Sequence, residues 1–253
     1  MSCPDCFRGS VHEGQPRGEV TKAYGRDTYV VGPADGRPAK GIVVVLPDAF
    51  GWEFVNVRLL ADKYADEGGF KVYAPDFMNG SYHLGRALCG LIPFVIYNWP
   101  TRAWPRVKGF FEQLRKEEGA SLSVGAAGFC WGGKQVLLLA QGDTIDGRPL
   151  IDAGFTGHPS LLSLPGDIQK LTLPVSFAMG EHDDYISVAQ AENIRTIVEA
   201  KPESARGELT IYPQTGHGFC VRADHKFPES LKQADEATEQ CIKWFNAHFT
   251  IPS

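Results

Sequence analysis

Three short stretches of the chain carry groups able to do acyl-transfer chemistry. The first is Gly128-Phe129-Cys130-Trp131-Gly132-Gly133-Lys134. It follows the small, apolar run Leu122–Ala127 and precedes Gln135-Val136-Leu137-Leu138-Leu139-Ala140. A thiol between glycines at such a junction has the form of a strand-to-helix elbow that presents a nucleophile. Glycines there let strand and helix approach without a clashing Cβ, and the helix start turns its N–H groups toward the sulfur. That setting favours thiolate. The other two stretches are Gly180-Glu181-His182-Asp183-Asp184 and Thr215-Gly216-His217-Gly218-Phe219. They supply an acid and then a histidine, each just after an apolar run.

Each group has a task. Cys130 attacks an acyl carbon and forms a thioester. His217 takes the thiol proton and then activates the water that resolves the intermediate. Asp183 orients the imidazole and stabilises its charged form. The backbone N–H groups of Trp131 and Ala49 make the oxyanion hole. Asp184 competes with Asp183, which is the fourth residue of the G-x-x-D turn and is preferred. His182 and His158 are alternative bases, but His182 reads most simply as a solvated turn residue, and His158 as a strand-end residue lining the site. His83 and His225 read as surface. Cys89, Cys220 and Cys241 lack a glycine elbow and read as packing residues.

The elements that must position these groups alternate. Gly41-Ile42-Val43-Val44-Val45-Leu46 is a continuous β-branched run, as expected of a strand buried on both faces. Strands are also expected at Phe70–Ala74, Ile151–Gly157, Val175–Met179 and Glu208–Tyr212, with Arg26–Val31 as an early edge strand. Helical patterns run from Phe54 to about Glu67, Trp104 to Glu118, Ser187 to Ala200 and Glu229 to Phe249. In the last, Ala234, Ala237, Cys241, Trp244 and Phe245 face the sheet. The alternation predicts an α/β protein with a mostly parallel, doubly wound sheet, in which catalytic groups gather at the carboxyl ends of strands. In such a fold, nucleophile, acid and histidine in this order match an α/β-hydrolase triad.

The segment 77–105 breaks the alternation. It is apolar and irregular, rich in Gly, Pro and aromatics, and reads equally as a lid or pocket wall and as a packed excursion. No linker or repeat divides the 253 residues, so one domain is expected, with residues 1–18 as an N-terminal arm. Cys3-Pro4-Asp5-Cys6, with His12, falls short of the four ligands of a zinc site, and no metal or cofactor is expected. A net charge of −5 argues against a nucleic-acid or anionic-membrane partner. No secretory signal is visible, and six Cys without one suggest reduced thiols and a cytoplasmic location.

The chain resembles the dienelactone hydrolase family, carboxymethylenebutenolidase-like α/β-hydrolases, and especially its fungal-type members. The resemblance rests on G-F-C-W-G-G at Gly128–Gly133, G-E-H-D at Gly180–Asp183 and H-G-F at His217–Phe219. Pro47-Asp48-Ala49-Phe50-Gly51-Trp52 and Ala74-Pro75-Asp76 add to it. It implies hydrolysis of a lactone or ester through Cys130, His217 and Asp183. It also implies two supporting groups. In the bacterial type a glutamate holds the resting thiol where Asp48 stands here; one methylene shorter, Asp48 reaches Cys130 only through water or by a loop shift. Burial of an unpaired carboxylate is costly, so Asp48 is expected to have a partner. Arg222 matches an arginine that binds substrate carboxylate, and a second falls among Arg86, Arg102 and Arg106. The apolar insertion argues against dienelactone itself as substrate.

The leading expectation is a cofactor-free cysteine hydrolase of a lactone or small ester, monomeric or homodimeric. A thioesterase or a C–C bond hydrolase would use the same site. A binding or sensor protein on the hydrolase fold is the alternative from another class, and the complete triad argues against it. A redox protein using Cys3, Cys6 and Cys130 is a third reading.

Overall fold

The run Ile42–Leu46 forms strand β3, in which every side chain is buried, and the rest of the sheet is laid on either side of it. The computed structural model describes residues 9–80 and 97–250. Among these, eight strands form one sheet in the order β1-β2-β4-β3-β5-β8-β9-β10. They are β1 (Glu19–Ala23), β2 (Arg26–Val31), β3 (Ile42–Leu46), β4 (Lys71–Pro75), β5 (Val124–Phe129), β8 (Ala153–Gly157), β9 (Val175–Gly180) and β10 (Glu208–Tyr212). A separate small hairpin pairs β6 (Thr144–Ile145) with β7 (Arg148–Pro149). From β4 to β10 the pairing is parallel. The β1–β2 and β2–β4 pairs are antiparallel. Burial of each large apolar side chain in the central strands contributes about 1.5–3 kcal/mol.

Helices flank the sheet: α1 (Val55–Asp66), α2 (Pro100–Lys116), α3 (Trp131–Leu139), α4 (Gly166–Gln169), α5 (Val188–Glu199), α6 (Phe219–Arg222) and α7 (Pro228–His248). The expected inward stripe of α7, from Ala234 to Phe245, is buried. Phe245 lies so close to β5 that a Cβ on Gly125 would stand 2.5 Å from its ring. No helix among the described residues is long and apolar enough to cross a membrane.

Two expectations need correction. Arg26–Val31 is not an edge strand, because β1 pairs outside it with Val20 opposite Tyr29. The chain turns back at Tyr24 and Gly25, whose φ angles are 50° and 77°. β1 is mostly exposed, so it carries no alternating apolar signal. Helix α2 also starts earlier than Trp104, at Pro100, where a missing N–H costs nothing.

The lid or pocket-wall expectation falls mainly on residues 81–96, outside the described residues, but both flanks of that segment are described. Arg106 ties them together: its guanidinium donates to the carbonyls of Phe77 and Tyr97 and to Asn98 Oδ1. The arm is described from Gly9, and it docks on α1 and α6. Asn56 Nδ2 donates to the carbonyls of Ser10 and Val221, and Asn56 Oδ1 accepts from His12 N–H.

Candidate active site

The elbow is built by close approaches that only glycine permits. A Cβ on Gly132 would lie 2.0 Å from the Leu46 carbonyl oxygen, and one on Gly128 would lie 2.4 Å from that of Gly132. With the helix pressed on β3 and β5 in this way, Cys130 turns through φ 52° and ψ −109°. A residue with a side chain held there stores on the order of 1–3 kcal/mol of strain. Backbone bonds hold it: Cys130 N–H donates to Gly157 C=O (3.2 Å), and Cys130 C=O accepts from Gly133 (3.1 Å) and Ser160 (3.0 Å). Helix α3 begins with Trp131, so the Trp131 N–H is among the first-turn donors that the helix leaves unbonded.

Two later strand ends meet at the elbow's side of the sheet. His217 Nδ1 lies 2.9 Å from Asp183 Oδ2, and both side chains are essentially sealed from solvent. A carboxylate can only accept, so Nδ1 carries the proton and Nε2 is the open nitrogen of the neutral ring. Nε2 is buried without a hydrogen-bond partner among the described residues. The other Asp183 oxygen accepts from Tyr185 N–H (2.8 Å), and the Tyr185 ring packs 4.7 Å from the imidazole. Asp184 is exposed, so it is Asp183 that meets His217. Gly180 and Thr215 bring the two loops together: a Cβ on Gly180 would lie 2.7 Å from the Thr215 carbonyl.

His182 is exposed, with Nε2 3.7 Å from Glu181. His158 is fully buried, its ring 5.0 Å from that of His217 in an edge-to-face contact. Burial, and secondarily the nearby His217, hold its pKa well below the ordinary histidine value. His225 is exposed. His83, Cys89 and Arg86 lie outside the described residues, as do Cys3 and Cys6. Cys220 and Cys241 are buried, and burial raises both thiols above the usual cysteine value.

Asp48 and Arg222, expected separately to hold the thiol and a substrate carboxylate, are joined to each other. Arg222 Nη1 contacts Asp48 Oδ2 in a buried ion pair, which supplies the partner that burial of Asp48 demanded. Asp48 Oδ1 accepts from Phe50 N–H (3.0 Å), so Ala49 is held in a tight turn between them. The Arg222 guanidinium also lies 4.7 Å over the Phe50 ring. Of the other arginine candidates, Arg102 is exposed and Arg106 braces the insertion's flanks. A cavity of about 220 Å³ opens beside the site, lined by Gly9, His217, Phe219 and Arg222 among others. No group of three or more His, Cys, Asp or Glu that could hold a metal occurs among the described residues.

The family model of the dienelactone hydrolase family matches residues 26–249. The chain belongs to the dienelactone hydrolase family. Its membership makes it a hydrolase of the ester or lactone type. Similar to this dienelactone hydrolase-family chain is Hydrolase pyvD of Aspergillus violaceofuscus, 27% identical over 96% of this chain and 95% of that protein. Dienlactone hydrolase 1 of Gibberella moniliformis is 25% identical over 95% and 92%. Among solved structures, a putative dienelactone hydrolase from Klebsiella pneumoniae superposes with a TM-score of 0.69. It is 21% identical, over 87% of this chain and 92% of that one. At that identity the likeness bears on the fold.

Sequence reasoning passed over two residues of this family member's site. Ser160 Oγ lies 3.4 Å from Cys130 Sγ, a contact that only the parallel register of β5 and β8 reveals. Lys134, closing the elbow motif, pairs with Asp167 at 2.5 Å and anchors α3 to α4.

Proposed function

We propose that the enzyme hydrolyses a lactone or small carboxylic ester through Cys130, His217 and Asp183, by way of a thioester acyl-enzyme. The observation that carries this is the sealed Asp183–His217 pair, set after strands that end on the same edge of the parallel sheet as a thiol on a strained glycine elbow. Asp183 holds the imidazole with its basic nitrogen open and stabilises the charge it gains. His217 Nε2 takes the Cys130 proton. The sulfur then attacks the acyl carbon, a C–S bond forms, and the carbonyl π electrons move to oxygen. The N–H groups of Trp131 and Ala49 receive that oxyanion. Collapse breaks the C–O bond, and the leaving oxygen takes the proton from His217. In the second half His217 draws a proton from water, whose oxygen attacks the thioester. Collapse now expels sulfur, which regains the proton, and the net reaction is ester plus water to acid plus alcohol.

Asp48 and Arg222 act here as a pair. Asp48 already offsets the charge of Arg222, which weakens the pull of this arginine on a substrate carboxylate and favours an uncharged ester or lactone. Thioesters and C–C bonds next to a carbonyl are chemically open to the same nucleophile. Cys130, Cys220 and Cys241 are not in disulfides, which suits work in the reducing cytoplasm.

Mass spectrometry of the enzyme quenched during turnover of p-nitrophenyl acetate tests the reading. It should show one acetyl group on Cys130, and Cys130→Ala should abolish turnover while the fold survives. Wild-type rates in Cys130→Ala would sink the mechanism.

A further inference from the structure

We propose that Ser160 is a further catalytic residue, whose hydroxyl donates a hydrogen bond to the Cys130 sulfur as thiolate and fixes the direction from which it attacks. This rests on the reading of Cys130 as nucleophile.

The placement begins with strand register. β8 runs parallel to β5 with Gly157 opposite Phe129, so the residues after β8 emerge beside the elbow. There the chain makes a tight turn, His158-Pro159-Ser160, with His158 at φ 38°. The turn is bolted to the elbow at several points. Cys130 N–H donates to Gly157 C=O, and Ser160 N–H returns a bond to Cys130 C=O at 3.0 Å. His158 N–H ties the same turn to Ala178 on β9 at 2.8 Å. Pro159 packs on α3 where Gly133 has no side chain, since a Cβ there would lie 2.6 Å from the Pro159 Cβ.

The backbone of Ser160 would suffice if the turn only packed. Its side chain does something more. Ser160 is 4% exposed and Cys130 is 7% exposed, and their Oγ and Sγ atoms are 3.4 Å apart. A thiolate has no proton and can only accept, so with the reactive form the hydroxyl is the donor. Hydrogen bonds to an ionised partner are about twice as strong as neutral ones. The hydroxyl therefore favours the ionised sulfur, and as a fixed donor it restricts the sulfur's rotation.

The other titratable or charged groups gathered at this strand end are His217 with Asp183, the Asp48–Arg222 pair, Tyr185, His158 and Cys220, whose Sγ would lie 2.7 Å from a Cβ on Gly157. The first two pairs come from other loops. Burial keeps His158 neutral, so within its own turn Ser160 is the group that distinguishes thiol from thiolate.

The test compares rates of iodoacetamide alkylation of Cys130 against pH, with kcat and KM for p-nitrophenyl acetate, in wild type, Ser160→Ala, Ser160→Thr and Ser160→Val. Thr and Val have the same shape and differ in the hydroxyl, so that pair answers the question even if Ser160→Ala does not fold. Loss of the hydroxyl should move the alkylation profile up by about one pH unit, a tenfold change in ionisation. It should also lower kcat about tenfold with KM little changed, the mark of an interaction made in the transition state. Ser160→Thr should keep the wild-type profile. Identical profiles and kcat with and without the hydroxyl would overturn the proposal while Cys130 stays the nucleophile. Undiminished turnover by Cys130→Ala, run alongside, would instead remove the reading beneath it.

Discussion

Asp48 and Arg222 meet in a buried ion pair that joins the loop after β3 to the short helix after His217. One residue precedes an expected oxyanion donor, and the other ends the helix that follows the expected base. The pair thus fastens two parts of the site that no strand pairing connects.

Removing one partner should be worse than removing both. Arg222→Met leaves a buried carboxylate uncompensated, a loss of about 3–5 kcal/mol, whereas Asp48→Asn with Arg222→Met should recover much of it. Urea denaturation of Arg222→Met, Asp48→Asn and the double variant measures this directly. A loss in the double variant equal to the sum of the two single losses would show that the pair is not energetically coupled.

The elbow should reject any side chain on Gly132, whose Cβ would stand 2.0 Å from the Leu46 carbonyl. Gly132→Ala is expected to yield little folded protein. Gly109 is the opposite case, lying inside α2 with nothing within 4 Å of an added Cβ. Gly109→Ala should stabilise the protein by about 0.5–1 kcal/mol, read as a rise in the urea midpoint. A destabilised Gly109→Ala would contradict the packing described for α2.

Stability should fall in acid partly because of His158. Its folded-state pKa is depressed by burial, so below the ordinary value of about 6.5 the unfolded chain binds a proton that the folded chain refuses. The stabilising contribution is therefore complete above about pH 6.5 and is lost as pH falls toward the depressed pKa, by at most about 1.4 kcal/mol per unit for one group. His158→Phe, placing a ring beside Phe129 and Phe219, should flatten the slope between pH 6.5 and 5. An unchanged slope would mean that other groups carry it, such as the partly buried His12, which burial also shifts down.

Trp131 should matter to catalysis through its backbone more than its ring. The indole N–H donates to the Asn98 carbonyl at 2.6 Å, so Trp131→Phe should cost about 1–3 kcal/mol of stability. The main-chain N–H stays, and kcat should fall less than about tenfold, against the thousandfold or greater loss expected on removing Cys130 or His217. A loss in Trp131→Phe as deep as that in Cys130→Ala would place the indole in the chemistry.

Local motifs were readable from the sequence, and pairings between distant loops were not. Gly128–Gly133 announces its turn because the glycines needed for close approach are themselves the signal. Asp183 could be preferred to Asp184 from turn spacing, and it is the one that meets His217. By contrast, nothing local says that Asp48 pairs with Arg222, because each residue looks like a ligand-binding group on its own. Ser160 escaped for a related reason: its contact depends on the register of β8 against β5. β1 was missed because it is solvated and gains its place by pairing with β2, with no burial periodicity to betray it.

The docking of the arm has a practical consequence for handling the enzyme. Ser10 N–H reaches the Arg222 carbonyl (3.4 Å), and a Cβ on Gly9 would collide with that same carbonyl. At the other extremity Thr250 is bonded to Ser123, just before β5 begins, at the far end of the sheet from the elbow. A bead or sensor surface tethered ahead of residue 9 would therefore pull on the helix that follows His217, while one tethered beyond residue 250 would load the opposite pole. Immobilised preparations joined through the two routes should differ in retained turnover, with the carboxyl-terminal attachment the faster.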